Sequence, residues 1–97
     1  MNELERVRAE IAAVDRELLE LVNRRLELVA EIRALKEANG LPFLDPGQEE
    51  RLLARLREAN AGPLSADGVE HLFREVLALA KRESAGELGR EGTEASD

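Results

Sequence analysis

Arg25 stands where an apolar residue is expected. The seam around it runs Leu18, Leu21, Arg25, Leu28, at alternating spacings of three and four, which gives Arg25 a core position. A buried guanidinium must be paired or it is costly. Two readings follow. One is an intersubunit ion pair or a register-setting polar residue. The other is a guanidinium that receives an anionic ligand. Lys36 lies eleven residues further on. Eleven residues at about 100° each return to within roughly 20° of the same helix face, about 16 Å along the axis. Two long side chains there can converge on one small anion. Arg24 and Arg33 are alternative cations nearby. Lys36 by itself also reads as an ordinary basic residue near a helix C-terminus, favoured by the macrodipole. Arg8 is about 25 Å from Arg25 along the same helix, so the two cannot serve one small ligand within a chain. In an antiparallel dimer, Arg8 of one subunit approaches Arg25 of the other. By itself Arg8 reads as a solvated surface residue.

Asp45, Gln48 and Glu49 cluster further along. Acids at a helix start complement its dipole, so capping accounts for them. Glu49 is also able to accept a hydrogen bond from a ligand hydroxyl. The single histidine, His71, reads as a partly exposed helix residue and gives no reason to assign general-base catalysis.

The rest of the composition narrows the chemistry. At 97 residues, one domain is the default. With 14 Lys+Arg against 21 Asp+Glu the net charge is -7, which argues against a general nucleic-acid binder. Cysteine is absent, so disulfides, thiol nucleophiles and Cys-based zinc sites are excluded. One histidine leaves a His-based metal site or a Ser-His-Asp triad unsupported. Tyr and Trp are absent and only two Phe occur, so no stacking platform for single strands is available. No run of 18 apolar residues exists, and none spans a membrane. The N-terminus, Met1-Asn2-Glu3-Leu4-Glu5, is acidic and does not read as a signal peptide. The simplest expectation is a soluble cytoplasmic protein.

A chain dominated by Ala, Glu, Leu and Arg, with no sustained alternation, reads as all-α. The first helix is expected over about 2–39. Asn2 is its N-cap, with Glu5 three residues later as in a capping box. Apolar residues run Leu4, Val7, Ile11, Val14, Leu18, Leu21, then Leu28, Ile32, Leu35. A second track, Leu19, Val22, Leu26, Val29, widens the apolar face. Asn39-Gly40 stops the helix and Pro42 follows. The second helix is expected over about 46–60, capped by Asp45, with Gln48 reaching back to the cap. Its apolar face is Leu52, Leu53 and Leu56. The third is expected over about 65–84, with Ser65 as N-cap. Its buried face comprises Val69, Leu72, Phe73, Val76, Leu77, Leu79 and Ala80. Residues 85–97, with Gly86, Gly89 and Gly92 among polar residues, read as a flexible tail or linker stub.

The first helix spans roughly 55 Å, whereas a compact chain of this size has a radius of gyration of about 13 Å. Two shorter helices cannot cover such a rod. A dimer with two long helices packed together does.

In this order, the residues resemble the all-α chorismate mutases, small intertwined helical dimers. The matching stretches are Leu4 to Asp15, Leu18 to Arg25, Ile32-Arg33-Ala34-Leu35-Lys36, and Pro42 to Glu50. The resemblance covers about residues 3–84. It is carried by the spacing from Arg8 through Arg25 and Lys36 to Asp45 and Glu49. It implies an isomerase that rearranges chorismate to prephenate in aromatic amino acid biosynthesis, with no metal and no cofactor.

Residue by residue, Arg8 looks like the arginine that reaches into the partner's site to bind a carboxylate. Arg25 looks like the within-subunit arginine for the other carboxylate. Lys36 looks like the lysine that contacts a carboxylate and the ether oxygen. Asp45 and Glu49 look like the pair near the substrate hydroxyl, Asp45 through its backbone. Three positions depart from the family pattern. Gln48 stands where many members have arginine, and Ala80 where a serine often assists a carboxylate. Ser84 stands where a glutamine or glutamate contacts the ether oxygen, and Glu83 fills that role if the register shifts by one.

Other readings remain open. One is a regulatory domain of the same fold that senses chorismate or prephenate. Such domains occur fused ahead of the enzyme that begins the shikimate pathway, 3-deoxy-D-arabino-heptulosonate 7-phosphate synthase. A helical scaffold without a small ligand is another. A lyase acting on isochorismate is a third.

Overall fold

The computed structural model of the chain describes residues 2–43 and 45–96. Met1, Leu44 and Asp97 lie outside the described residues, as do the side chains of Pro46 and of residues 84–96. Three helices follow one another: α1 over Glu3–Ala38, α2 over Pro46–Ala59 and α3 over Ala66–Ser96. Among the described residues there is no strand.

Local chemistry sets the ends. The Asn2 side chain accepts from the Glu5 N–H at 2.8 Å, opening α1. At its far end Gly40 has φ 66°, a conformation that glycine adopts without a Cβ penalty. The Leu41 N–H donates to the Lys36 carbonyl at 2.8 Å, and the Gly40 N–H to the Glu37 carbonyl at 3.2 Å. Together these are a Schellman stop, which turns the chain sharply back after Lys36. Asp45 caps α2 by accepting from the Gln48 N–H at 3.2 Å. The Gln48 side chain does not reach back to the cap as expected; its Oε1 accepts from Arg51 at 3.0 Å instead. The charged guanidinium outcompetes a neutral backbone donor for that oxygen. Ser65 opens α3, its Oγ accepting from the Gly68 N–H at 2.9 Å.

α3 runs past the expected end at Ser84 to Ser96. Its glycines cost about 1 kcal/mol each in a helix, whereas a proline costs about 3 kcal/mol. No proline follows Pro63. The reading of 85–97 as a tail or linker stub rests on side chains outside the described residues.

α3 is the element against which both others pack. Among the described residues, the buried apolar ones are Leu53, Val69 and Ala80. Leu72, expected inside, is exposed. Leu53 is fully enclosed between α2 and α3, so Leu53→Ala is expected to destabilise the protein by about 2–5 kcal/mol. Chemical denaturation, read as a shift in midpoint at constant slope, checks this.

α1 buries nothing completely. At 1.5 Å per residue its 36 residues span about 54 Å, and 54 Å is the longest dimension of the molecule. Leu4, Val7, Ile11, Val14, Leu18 and Leu21 all stand exposed along its first half. The radius of gyration is 17.4 Å, well above the roughly 13 Å of a compact chain of this length.

Candidate active site

The turn that ends α1 brings three helices around one cleft. Its space, open to solvent, is about 620 Å³. Arg25, Val29, Ile32 and Lys36 of α1 form one wall, at the three- and four-residue steps of a single helix face. Leu77, Ala80 and Lys81 of α3 face them, and Phe43, Asp45, Gln48 and Glu49 close the third side. Six of the residues singled out from the sequence therefore border one space: Arg25, Lys36, Asp45, Gln48, Glu49 and Ala80.

Two cations in this cleft are available to a ligand. Arg25 is half-buried and forms no ion pair among the described residues. Lys36 donates from Nζ to the Phe43 carbonyl at 3.0 Å. An ammonium has three donors, so this bond orients the head group and leaves others to give. The alternative cations are engaged elsewhere. Arg24 pairs with Glu27 at 3.7 Å. The Arg33 guanidinium lies over the Phe43 ring, 4.7 Å from its centroid.

The acids differ from one another. The carboxylate of Asp45 is taken up by its capping bond and by Arg51 at 3.7 Å. Glu49 is half-buried and pairs with Lys81, whose Nζ lies 3.0 Å from Oε2. Lys81 was missed from the sequence. Its signal was there: it follows Leu77 by four residues and so shares that residue's helix face.

Of the remaining predicted positions, Arg8 and Glu83 do not border the cleft. Arg8 lies about 25 Å from Arg25 along α1, and makes no ion pair among the described residues. Glu83 is half-buried but does not border the cleft. The Ser84 side chain lies outside the described residues, and with it the choice between Glu83 and Ser84. Ala80 presents only a methyl group, 5% exposed, so it offers no hydrogen bond. Among the described residues no group of three or more His, Asp or Glu is placed to hold a metal ion. Among the described residues no helix is long and apolar enough to cross a membrane.

Arginine, lysine and a carboxylate between apolar walls suit one kind of ligand. It is a small anionic molecule with some apolar surface and a donor for the carboxylate. Apolar walls lower the local dielectric and so strengthen each charged contact.

Comparison with known proteins agrees. Residues 7–85 match the family described as chorismate mutase type II. The T-protein of Haemophilus influenzae is 40% identical over 78 residues, covering 79% of this chain and 21% of that protein. A bifunctional chorismate mutase/prephenate dehydratase of Aquifex aeolicus is 32% identical over 101 residues, covering 96% of this chain and 28% of that protein. The chain thus spans only 21% and 28% of the length of these curated relatives. The solved structure of a Thermus thermophilus chorismate mutase, in its first form, superposes with a TM-score of 0.79 at 37% identity, covering 81% of this chain and 99% of that one.

Proposed function

The chain belongs to the chorismate mutase type II family, and we propose from this that it rearranges chorismate to prephenate. The observation that carries the reading is the cleft. Arg25 and Lys36, eleven residues apart on α1, border it together with Glu49.

The reaction is intramolecular. The ether C–O bond breaks as a new C–C bond forms, and no proton, electron or group leaves the molecule. What a protein supplies is therefore geometry and charge. Arg25 binds one carboxylate with its planar fork, holding the dianion in a compact reactive conformer. Lys36 donates to the ether oxygen as negative charge develops there, a positive charge already in place before the reaction. Its bond to the Phe43 carbonyl supports this role by fixing the ammonium. Glu49 accepts from the substrate hydroxyl. Asp45 lies close by and holds the start of α2 in position. Gln48, tied to Arg51, shapes the rim.

The second carboxylate needs another cation, and Arg8 supplies it from a partner subunit. The support for a homodimer is the uncovered apolar face of α1. Two α1 helices crossing antiparallel about a two-fold axis near Arg16 and Glu17 set Arg8 of each beside Arg25 of the other. Arg8 and Arg25 are equidistant from that point along the helix.

Purified chain mixed with chorismate is expected to deplete its ultraviolet absorbance while prephenate accumulates. Stable absorbance at micromolar enzyme would refute the reading. A second reading draws on Ala80, whose methyl stands in the cleft wall where the resembled family has a serine. A site short of donors suits a sensor domain, such as one fused to 3-deoxy-D-arabino-heptulosonate 7-phosphate synthase. Such a domain binds chorismate or prephenate without turnover, and calorimetry alongside the absorbance assay separates the two.

A further inference from the structure

We propose that Lys81 is a substrate-positioning residue that cancels the charge of Glu49 and so lets this cleft accept a dianion. The proposal rests on the reading of the cleft as a dicarboxylate site. Two carboxylates border the cleft, Asp45 and Glu49. Each repels a dianionic ligand unless it is answered. Asp45 is answered by Arg51, which does not border the cleft, at 3.7 Å, and by the Gln48 N–H at the start of α2. Glu49 is answered by Lys81 alone among the described residues. Lys81 Nζ lies 3.0 Å from Oε2 and donates to Oε1 at 3.3 Å, so it spans both oxygens.

The geometry gives the pair two effects. Lys81 approaches Glu49 from α3, while the carboxylate is carried on α2, so the bond fixes the acid across a helix interface. A carboxylate oxygen has lone pairs to spare beyond those Lys81 uses, so Glu49 still accepts from a ligand hydroxyl. Glu49 thus remains an acceptor without acting as a net negative wall. The pair is partly exposed, with side chains 46% and 29% accessible, so its worth to folding stability is small. Its value lies in what the ligand meets.

The test is prephenate binding by calorimetry, together with chorismate turnover, in four proteins: wild type, Lys81→Leu, Lys81→Arg and the double variant Lys81→Leu/Glu49→Gln. Lys81→Leu is expected to weaken prephenate binding and raise KM about tenfold at low salt, with kcat changed less than about threefold. The difference shrinks at high salt, where screening removes the repulsion. Lys81→Arg restores affinity to within a factor of about three, since the charge returns. The double variant recovers affinity to a similar extent, because the uncompensated carboxylate is gone while the glutamine amide oxygen still accepts from the ligand hydroxyl. A merely structural role for Lys81 predicts no such recovery. Unchanged affinity in Lys81→Leu overturns the proposal. So does a double variant as weak as Lys81→Leu, which would make Lys81 a direct ligand contact. A wild type that binds no prephenate and turns over no chorismate overturns the dicarboxylate reading itself, and this proposal with it.

Discussion

Arg25→Ala is expected to lower kcat/KM for chorismate by about two to three orders of magnitude, with the fold and the proposed dimer intact. The guanidinium is half-buried, borders the cleft and has no ion-pair partner among the described residues. Removing it breaks no internal pair, so stability should change by less than about 1 kcal/mol. What is lost is a fork of two charge-assisted hydrogen bonds to a substrate carboxylate. Leaving that carboxylate without its partner costs about 3–4 kcal/mol. At about 1.4 kcal/mol per tenfold, that is the expected loss. Arg25→Lys should recover only part of it, because an ammonium is a point charge without the planar fork. Steady-state kinetics beside a thermal melt check this. Near-wild-type turnover in Arg25→Ala would return Arg25 to a register-setting role.

Lys36→Met is expected to lower kcat by about two orders of magnitude and KM by much less. Methionine keeps the unbranched apolar stem along the cleft wall and removes only the ammonium. The ammonium is aimed by its 3.0 Å bond to the Phe43 carbonyl. That bond also ties the turn after α1 back onto the helix, so some loosening of residues 39–45 accompanies the loss. Lys36→Arg separates the two effects. It restores a cation and a donor to Phe43, but places the charge differently. If both variants turned over chorismate at the wild-type kcat, the developing charge on the ether oxygen would be stabilised by some other group.

Much of this arrangement is legible in the sequence. Asn2, Asp45 and Ser65 announce helix starts by their side-chain chemistry, and each accepts a backbone N–H as expected. Asn39-Gly40 announces the stop that swings Phe43 back beneath Lys36. The polar intrusion of Arg25 into an apolar seam, and its eleven-residue step to Lys36, put both on one helix face, and the structure turns that face toward the cleft. Other features are hidden because they depend on competition between partners. Gln48 has two options within reach, the cap and Arg51, and the charged one wins. Arg33 is as plausible a ligand cation as Lys36 until the cleft is seen, which Lys36 borders and Arg33 does not. Lys81 needs the pairing of α2 with α3, since Glu49 lies 32 residues away in the chain. The end of α3 was obscured by glycines, which weaken a helix without forbidding it.

The most direct test of the account is complementation between two disabled chains. Arg8→Ala and Arg25→Ala are each expected to be nearly inactive alone. Unfolded together in equal amounts and refolded, half of the dimers are mixed. Each mixed dimer holds one site with both arginines intact and one with neither. The mixture should therefore recover about a quarter of wild-type activity, as expected for a two-fold symmetric dimer that shares its sites. Activity no higher than that of the separate variants would contradict a site built from two chains.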